Sequence, residues 1–210
     1  MGKDWVEWHR QYDDASSDLS GRLSAVQQEL VKSLVARRER EQTVISLCAG
    51  QGDDVLGVLA CTRPRLRLRA RLIELDPVLA GIAQKRSHDW GLAGVEVLQA
   101  DAGLTSSYED FPPADFVLVC GVFGNIADRD VLRTIDTLPQ LVAAEADVIW
   151  TRSRRKPDLT PSIRRHFVET GFIERAFIAP DQYGWSVGVN RFVGEPRILE
   201  RGARIFTFVA

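Results

Sequence analysis

The sequence predicts an α/β fold: a doubly wound, seven-stranded and mostly parallel sheet whose last strand is antiparallel, with an N-terminal helical appendage. Two observations lead to this prediction. Short apolar segments rich in β-branched residues alternate with helical segments along most of the chain, which is typical of a parallel sheet. Near the end of the chain, two strand-like segments have no helix between them, so we expect the last strand to enter by a hairpin and to run antiparallel.

Composition and charge exclude several classes of protein. The 210 residues suffice for one such domain, and 45% hydrophobic and 27% charged residues are typical of a globular protein. The net charge of −2 lacks the basic excess that non-specific nucleic-acid binding uses, so we expect no nucleic-acid partner. No apolar run approaches the ~20 residues that span a bilayer and no signal peptide begins the chain, so we expect a cytoplasmic protein without membrane contact. Cys48, Cys61 and Cys120 have the spacing of neither a zinc site nor a disulfide framework, so no metal is expected.

The chain divides into a helical appendage, residues 1–40, and a main domain, residues 41–210. Apolar residues at positions 19, 23, 26, 30 and 34 recur at steps of three and four, which predicts an amphipathic helix to about residue 36. An aromatic segment, residues 5–12, precedes this helix.

The main domain begins with a strand, a glycine turn and a helix opened by Asp53 and Asp54, which is the first half of a βαβ unit. Asp76 and Pro77 are predicted to start the next helix, and Thr160 to cap a later one. A further helix is predicted at residues 131–142. The predicted strands are residues 43–48, 70–75, 95–98, 115–120, 148–150, 172–177 and 204–208, with 185–193 as an additional candidate.

Residues that follow the strands are the candidates for ligand binding, because ligands of open α/β sheets bind beyond the carboxyl ends of the strands. The glycine turn at residues 48–52 lets a ligand approach backbone N–H groups. Glu74, at the end of the next strand, is placed to accept hydrogen bonds from ribose hydroxyls. This pair fits NAD as well as other adenosine cofactors, although the turn lacks the third glycine of G-x-G-x-x-G.

Four segments occur in order along the chain: VISLCAGQGDD, RLIELDP, LQADAG and ADFVLVCGVFGNI. With these motifs, about residues 43 to 179 resemble the class I S-adenosylmethionine (SAM)-dependent methyltransferases, which have a Rossmann-like sheet. The resemblance implies an enzyme that transfers a methyl group from SAM by in-line displacement and leaves S-adenosylhomocysteine (SAH). A monomer or homodimer would be compatible with it.

The resemblance also implies roles for individual residues. The turn at residues 48–52 would hold the methionine and adenosine parts of SAM, Glu74 both ribose hydroxyls, and Asp101 the exocyclic amine of adenine. Family members often have an acid where Ser46 stands and a glycine where Cys48 stands; the Ser46 hydroxyl would accept a hydrogen bond from the cofactor amine. The implied cofactor-binding residues are Ser46, Cys48, Ala49, Gly50, Gly52, Glu74, Leu75, Asp76, Asp101, Ala102, Cys120, Gly121 and Val122.

The methyl acceptor is expected to be a small molecule. Enzymes that methylate exocyclic amines of bases commonly carry Asn/Asp-Pro-Pro-aromatic after the fourth strand, whereas this chain has Gly-Val-Phe-Gly there. We expect the aromatic segment to cover the site, with His9 orienting or deprotonating the acceptor and Tyr12 placing a hydroxyl against it. Trp8 would lie beside them, with Phe123 and Asn125 opposite. The alternative is that these N-terminal aromatics only pack the first helix onto the sheet.

Two other functions stay open at this point. An NAD(P)-dependent oxidoreductase would share the glycine turn and the acid after the second strand, but the missing third glycine disfavours it. A SAM-binding protein without transferase activity is the other alternative, because Ser46 and Cys48 depart from the family pattern.

Overall fold

The computed structural model describes residues 17–62 and 67–209, so the predicted site residues His9 and Tyr12, with Trp8, lie outside the described residues. Two 3₁₀ turns lie at Thr105–Tyr108 and Leu138–Gln140. The helices and strands are α1 (Asp18–Ala36), β1 (Gln42–Leu47), α2 (Asp53–Cys61), β2 (Leu68–Glu74), α3 (Pro77–Asp89), β3 (Val95–Gln99), β4 (Ala114–Val119), α4 (Asp128–Thr137), β5 (Val142–Ser153), α5 (Thr160–Glu169), β6 (Phe172–Ile178) and β7 (Trp185–Phe192).

The seven strands form one sheet in the order β3-β2-β1-β4-β5-β7-β6. The pairs from β3 across to β5 are parallel, and β7 runs antiparallel to both β5 and β6. The predicted fold class is therefore confirmed. The chain winds outward in one direction through β2 and β3 and in the other through β4 and β5, so the switch point lies between β1 and β4.

The prediction of the last strand was wrong in its position. The antiparallel strand is β7, the segment that the sequence suggested only as an additional candidate, and residues 204–208 add no strand to the sheet. They make isolated bridges, Leu104 with Arg204 and Ile126 with Phe208. The adjacent residues Ile205 and Phe206 are both buried, whereas a strand on a sheet face would alternate its side chains.

Two element boundaries also differ from prediction. Helix α4 ends at Thr137 and a 3₁₀ turn containing Pro139 follows it, so the helix does not continue to residue 142. Strand β5 begins at Val142 rather than at residue 148. The first half of this strand contains a register shift against β4 and a positive φ of 58° at Glu145. An irregular, partly polar strand end carries no clear period-two pattern.

Side-chain acceptors lie at the starts of α3 and α5. Asp76 caps α3 as predicted: its Oδ1 accepts from the N–H groups of Val78 (2.8 Å) and Leu79 (3.1 Å). At α5 the acceptor is Asp158, whose Oδ1 lies 2.9 Å from the N of Thr160, so Thr160 begins the helix without capping it.

Helices cover both faces of the sheet. Helices α1, α2 and α3 pack on one face, where Leu30 and Leu34 of α1 are buried, and α4 and α5 pack on the other around Trp150 and Phe167. The helix predicted as part of an appendage therefore contributes to the same core as the sheet. Within the described residues, no helix is both long and apolar enough to cross a membrane.

Candidate functional site

A cavity of about 450 Å³ opens at the carboxyl ends of β1 to β4, on the face of the sheet that α1 and α2 cover. This is the edge at which the sequence predicts a ligand. The cavity is lined by Arg22, Leu23, Val26, Cys48, Ala49, Asp53, Asp54, Glu74, Leu75, Asp76, Pro77, Leu79, Asp101, Ala102, Cys120, Gly121 and Phe208.

The turn between β1 and α2 forms the floor of the cavity. Cys48 adopts a positive φ of 50°, a conformation that costs a non-glycine residue roughly 1–2 kcal/mol, and its side chain lines the cavity. Gly52 has a φ of 76°, and a Cβ there would lie 2.9 Å from the side chain of Leu72. The positive φ and the close packing against Leu56 of α2 and Leu72 of β2 both favour glycine at position 52, which does not line the cavity itself.

Glu74 is a carboxylate of the site that two backbone N–H groups hold in place. It is buried, its Oε2 accepts from the Gly50 N–H at 2.7 Å, and its Oε1 accepts from the Asp76 N–H at 2.8 Å. A carboxylate offers about four acceptor positions, so about two remain for a ligand in the cavity. Gly50 contributes to the site through this backbone bond, not as part of the wall.

Asp101 and Ala102 follow β3 at the neighbouring wall. Asp101 Oδ1 accepts from the Gly103 N–H at 2.8 Å, and Tyr108 donates its hydroxyl to the Ala102 carbonyl at 2.6 Å. Burial raises the pKa of Tyr108 well above 10, so this phenol stays protonated and keeps donating. The loop that carries Asp101 is therefore held in place by the Tyr108 hydroxyl.

Asp54, the second residue of α2, is a buried carboxylate in the cavity wall that the sequence analysis did not assign. Ser46 donates its hydroxyl to Asp54 Oδ2 at 3.3 Å, and the Val55 N–H donates to Oδ1 at 2.8 Å. Burial raises the pKa of Asp54 to about 6, and the neighbouring Asp53 adds to this rise. Ser46 is buried beside Asp54 and does not line the cavity, so the polar side chain that faces the cavity here is that of Asp54.

The loop after β4 contributes Cys120 and Gly121 to the wall. Gly121 donates its N–H to Thr151 Oγ1 at 2.9 Å, and Asn125 donates its side-chain amide to the Gly121 carbonyl at 2.6 Å. Val122 is fully buried in the core cluster that contains Trp150 and does not line the cavity. Asn125 thus holds the shape of the loop, while its predicted contact with the acceptor remains a prediction.

The expectation that Phe123 lines the acceptor pocket is wrong. Phe123 is fully buried and its ring centroid lies 6.0 Å from that of Trp150, on the sheet face covered by α4 and α5. A large aromatic side chain is stabilised more by complete burial in that cluster than at a cavity edge.

The two thiols in the wall are apolar surface rather than nucleophiles. Burial raises the pKa of Cys48 and of Cys120 well above 9.0, so both are protonated at neutral pH. In the part of the chain that the structure describes, no three His, Cys, Asp or Glu side chains come together as a metal site.

Several wall residues come from parts of the chain that the motifs do not contain. Arg22, Leu23 and Val26 belong to α1, and Phe208 comes from the end of the chain. No spacing connects these positions to the strand ends. The sequence does contain an indication of Asp54 as a site residue, because this residue lies in the first helical turn directly after the glycine turn.

Several solved structures similar to this chain are methyltransferases, whereas no family model and no curated protein matches it. Magnesium protoporphyrin IX methyltransferase from Synechocystis PCC 6803 with bound SAM is 16% identical with a TM-score of 0.68, and the match covers 90% of this chain and 90% of that chain. The same enzyme with bound SAH gives 14% identity and 0.68, covering 90% and 93%. An O-methyltransferase family protein from Burkholderia thailandensis gives 18% identity and 0.61, covering 90% and 69%. The chain therefore has the Rossmann-like fold of the class I SAM-dependent methyltransferases.

Proposed function

We propose that this protein is a methyltransferase that uses SAM, releases SAH and acts on a small-molecule acceptor. One observation supports this most: two carboxylates, Glu74 and Asp101, and the exposed Leu75 border a single cavity at the ends of adjacent parallel strands. Their chemistry matches the ribose, the amine and the flat apolar face of an adenosine.

The adenosine end fits this wall group by group. Glu74 has about two acceptor positions left after its backbone bonds, as many as a ribose has vicinal hydroxyls. Leu75 is 63% exposed beside it, an apolar surface that a purine ring would cover. Asp101, next to Ala102, would accept from the exocyclic amine.

Two further wall residues are complementary in charge to the amino-acid end of the cofactor. Arg22 of α1 and Asp54 of α2 both line it, and a guanidinium with a carboxylate is complementary to a zwitterion. Ionised Asp54 would bind the ammonium group, since its pKa of about 6 leaves it charged at pH 7.5. Ser46 keeps that carboxylate in place through its hydroxyl.

SAM, when bound, supplies an electrophilic methyl group on a sulfonium. The chain's own contribution is to position the acceptor and to exclude water, and holding two reactants in line accounts for much of the rate of such transfers. Cys120, as a neutral thiol, and Leu23 offer an apolar wall there. In this proposal His9 and Tyr12 bind the acceptor from the N-terminal segment.

The test combines binding with transfer. The full-length protein is titrated with SAH by calorimetry and assayed with methyl-labelled SAM on a panel of small alcohols, amines and carboxylic acids. Glu74→Gln should weaken SAH binding about tenfold or more, because a hydrogen bond to a charged group is worth roughly 1.5–3 kcal/mol. Glu109→Gln, at an exposed position away from the cavity, is the matched control. Failure of the unmodified protein to bind SAH would overturn the proposal.

A further inference from the structure

The end of the chain, residues 203–209, crosses the carboxyl edge of the sheet above the cavity, and we name it the C-terminal segment. At one end, Ile205 donates its N–H to the Gly103 carbonyl at 2.8 Å, and at the other, Val209 donates its N–H to the Asn125 carbonyl at 2.8 Å. The segment therefore connects the loop after β3 with the loop after β4, the two loops that flank the cavity.

This crossing is firmly anchored. Ile205 and Phe206 are buried, and Ala203 exchanges hydrogen bonds with Thr105. A Cβ on Gly103 would lie 2.4 Å from the Phe206 carbonyl oxygen, so the β3 loop and the segment pass each other at a distance that only glycine allows. The close contact between the β3 loop and the segment therefore depends on glycine at position 103.

Arg204 is the one charged side chain of this segment, and it pairs with the carboxylate that would read the adenine. Its Nη1 lies 2.5 Å from Asp101 Oδ2, while Asp101 Oδ1 accepts from the Gly103 N–H. The two bonds fix the rotation of the carboxylate plane. Arg204 does not line the cavity, so it contacts Asp101 from outside the cavity wall.

The ion pair between Arg204 and Asp101 can orient the carboxylate without adding much to the stability of the fold. The Asp101 side chain is 33% exposed and that of Arg204 is 44% exposed. An ion pair at this exposure contributes little to the free energy of unfolding. Removal of Arg204 should therefore leave the fold intact and release the carboxylate into several rotamers.

We infer that Arg204 is a positioning residue for adenine recognition: it holds Asp101 in the orientation that accepts a hydrogen bond from the exocyclic amine. The inference rests on the proposed function and extends it to the end of the chain. Specificity for the purine then depends on a segment that lies outside the strand-end motifs.

The experiment compares two ligands on full-length protein by calorimetry: SAH, and its analogue with hypoxanthine in place of adenine. The analogue has a carbonyl oxygen where adenine has its amine, so it cannot donate to Asp101 there. The unmodified protein should bind SAH about tenfold to a hundredfold more tightly than the analogue. In Arg204→Gln this ratio should fall below about threefold, chiefly through weaker SAH binding, and Arg204→Lys should restore part of it.

Arg201→Gln, an exposed arginine in the turn just before the segment, is the matched control and should keep the full ratio. Thermal unfolding checks that every variant is folded. Unchanged or tighter SAH binding by Arg204→Gln, or weaker binding with the ratio retained, would overturn the positioning role while leaving the proposed function standing. Equal binding of both ligands by the unmodified protein would overturn the assigned contact to the amine, and no SAH binding at all would overturn both proposals.

Discussion

Replacement of Asp54 by asparagine tests two effects of this carboxylate, one on the stability of the fold and one on the affinity for SAH. The change keeps the size of the side chain, the acceptor for the Val55 N–H and a partner for the Ser46 hydroxyl. It removes one buried negative charge. We expect Asp54→Asn to be more stable than the unmodified protein at neutral pH and to bind SAH more weakly.

The magnitude follows from the pKa. Burial raises the pKa of Asp54 from 3.8 to about 6, so the unfolded chain loses this proton more readily than the folded one. The folded state is therefore penalised increasingly as the pH rises from about 4 to about 6, and fully above that. A difference of about two pH units corresponds to about 3 kcal/mol, which is the upper limit of the expected gain at pH 7.5.

Urea unfolding at pH 7.5 and at pH 4.5 measures this gain. The variant should exceed the unmodified protein by about 1–3 kcal/mol at the higher pH, and the difference should shrink strongly at the lower one. Asp128→Asn, also in the first turn of a helix but exposed, is the control and should show no gain. Equal stability of the two proteins at pH 7.5, or a less stable variant, would mean that the buried charge of Asp54 does not destabilise the folded protein.

Four further predictions concern the site and the core. The affinity of the unmodified protein for SAH should fall as the pH drops through about 6, where Asp54 takes up a proton, and calorimetry should find this dependence lost in Asp54→Asn. Asp147 is 1% exposed and pairs with the guanidinium groups of Arg37 and Arg191. Asp147→Ala leaves both groups without this partner, so chemical unfolding should show a loss of about 3–5 kcal/mol in the free energy of unfolding, with SAH affinity retained in the folded protein. Phe123→Ala should cost about 3–5 kcal/mol in the same assay, because Phe123 belongs to the core rather than to the acceptor pocket. Deletion of residues 1–14 should abolish methyl transfer in the labelled-SAM assay and leave most of the SAH affinity; full transfer by the truncated protein would mean that the N-terminal aromatics only pack.

Much of the fold could be predicted because local patterns and global topology agree. Apart from β3, which a 3₁₀ turn follows, each parallel strand contains an apolar run and has an α-helix after it, and Asp76 with Pro77 marks the start of α3 by a local mechanism. The end of the chain could not be predicted in this way. Residues 185–192 and 204–208 have similar composition, and only tertiary pairing with β5 and β6 decides that the former is the strand.

The candidate site was predictable to the extent that it is local. Glu74 and Asp101 directly follow strands, so the topology alone brings them to one edge. Arg22 and Phe208 reach the cavity from α1 and from the C-terminal segment, over distances along the chain that no spacing encodes. The assignment of Phe123 failed because a motif position gives no information on which face of the sheet its side chain is buried.

Calorimetric titration of the full-length protein with SAH and, side by side, with NAD measures whether the cavity binds SAM. The arrangement of Glu74 and Asp101 predicts saturable binding of SAH at one site per chain, displaced by SAM, and no comparable binding of NAD. Tighter binding of NAD than of SAH would overturn the proposed function, and so would the absence of SAH binding.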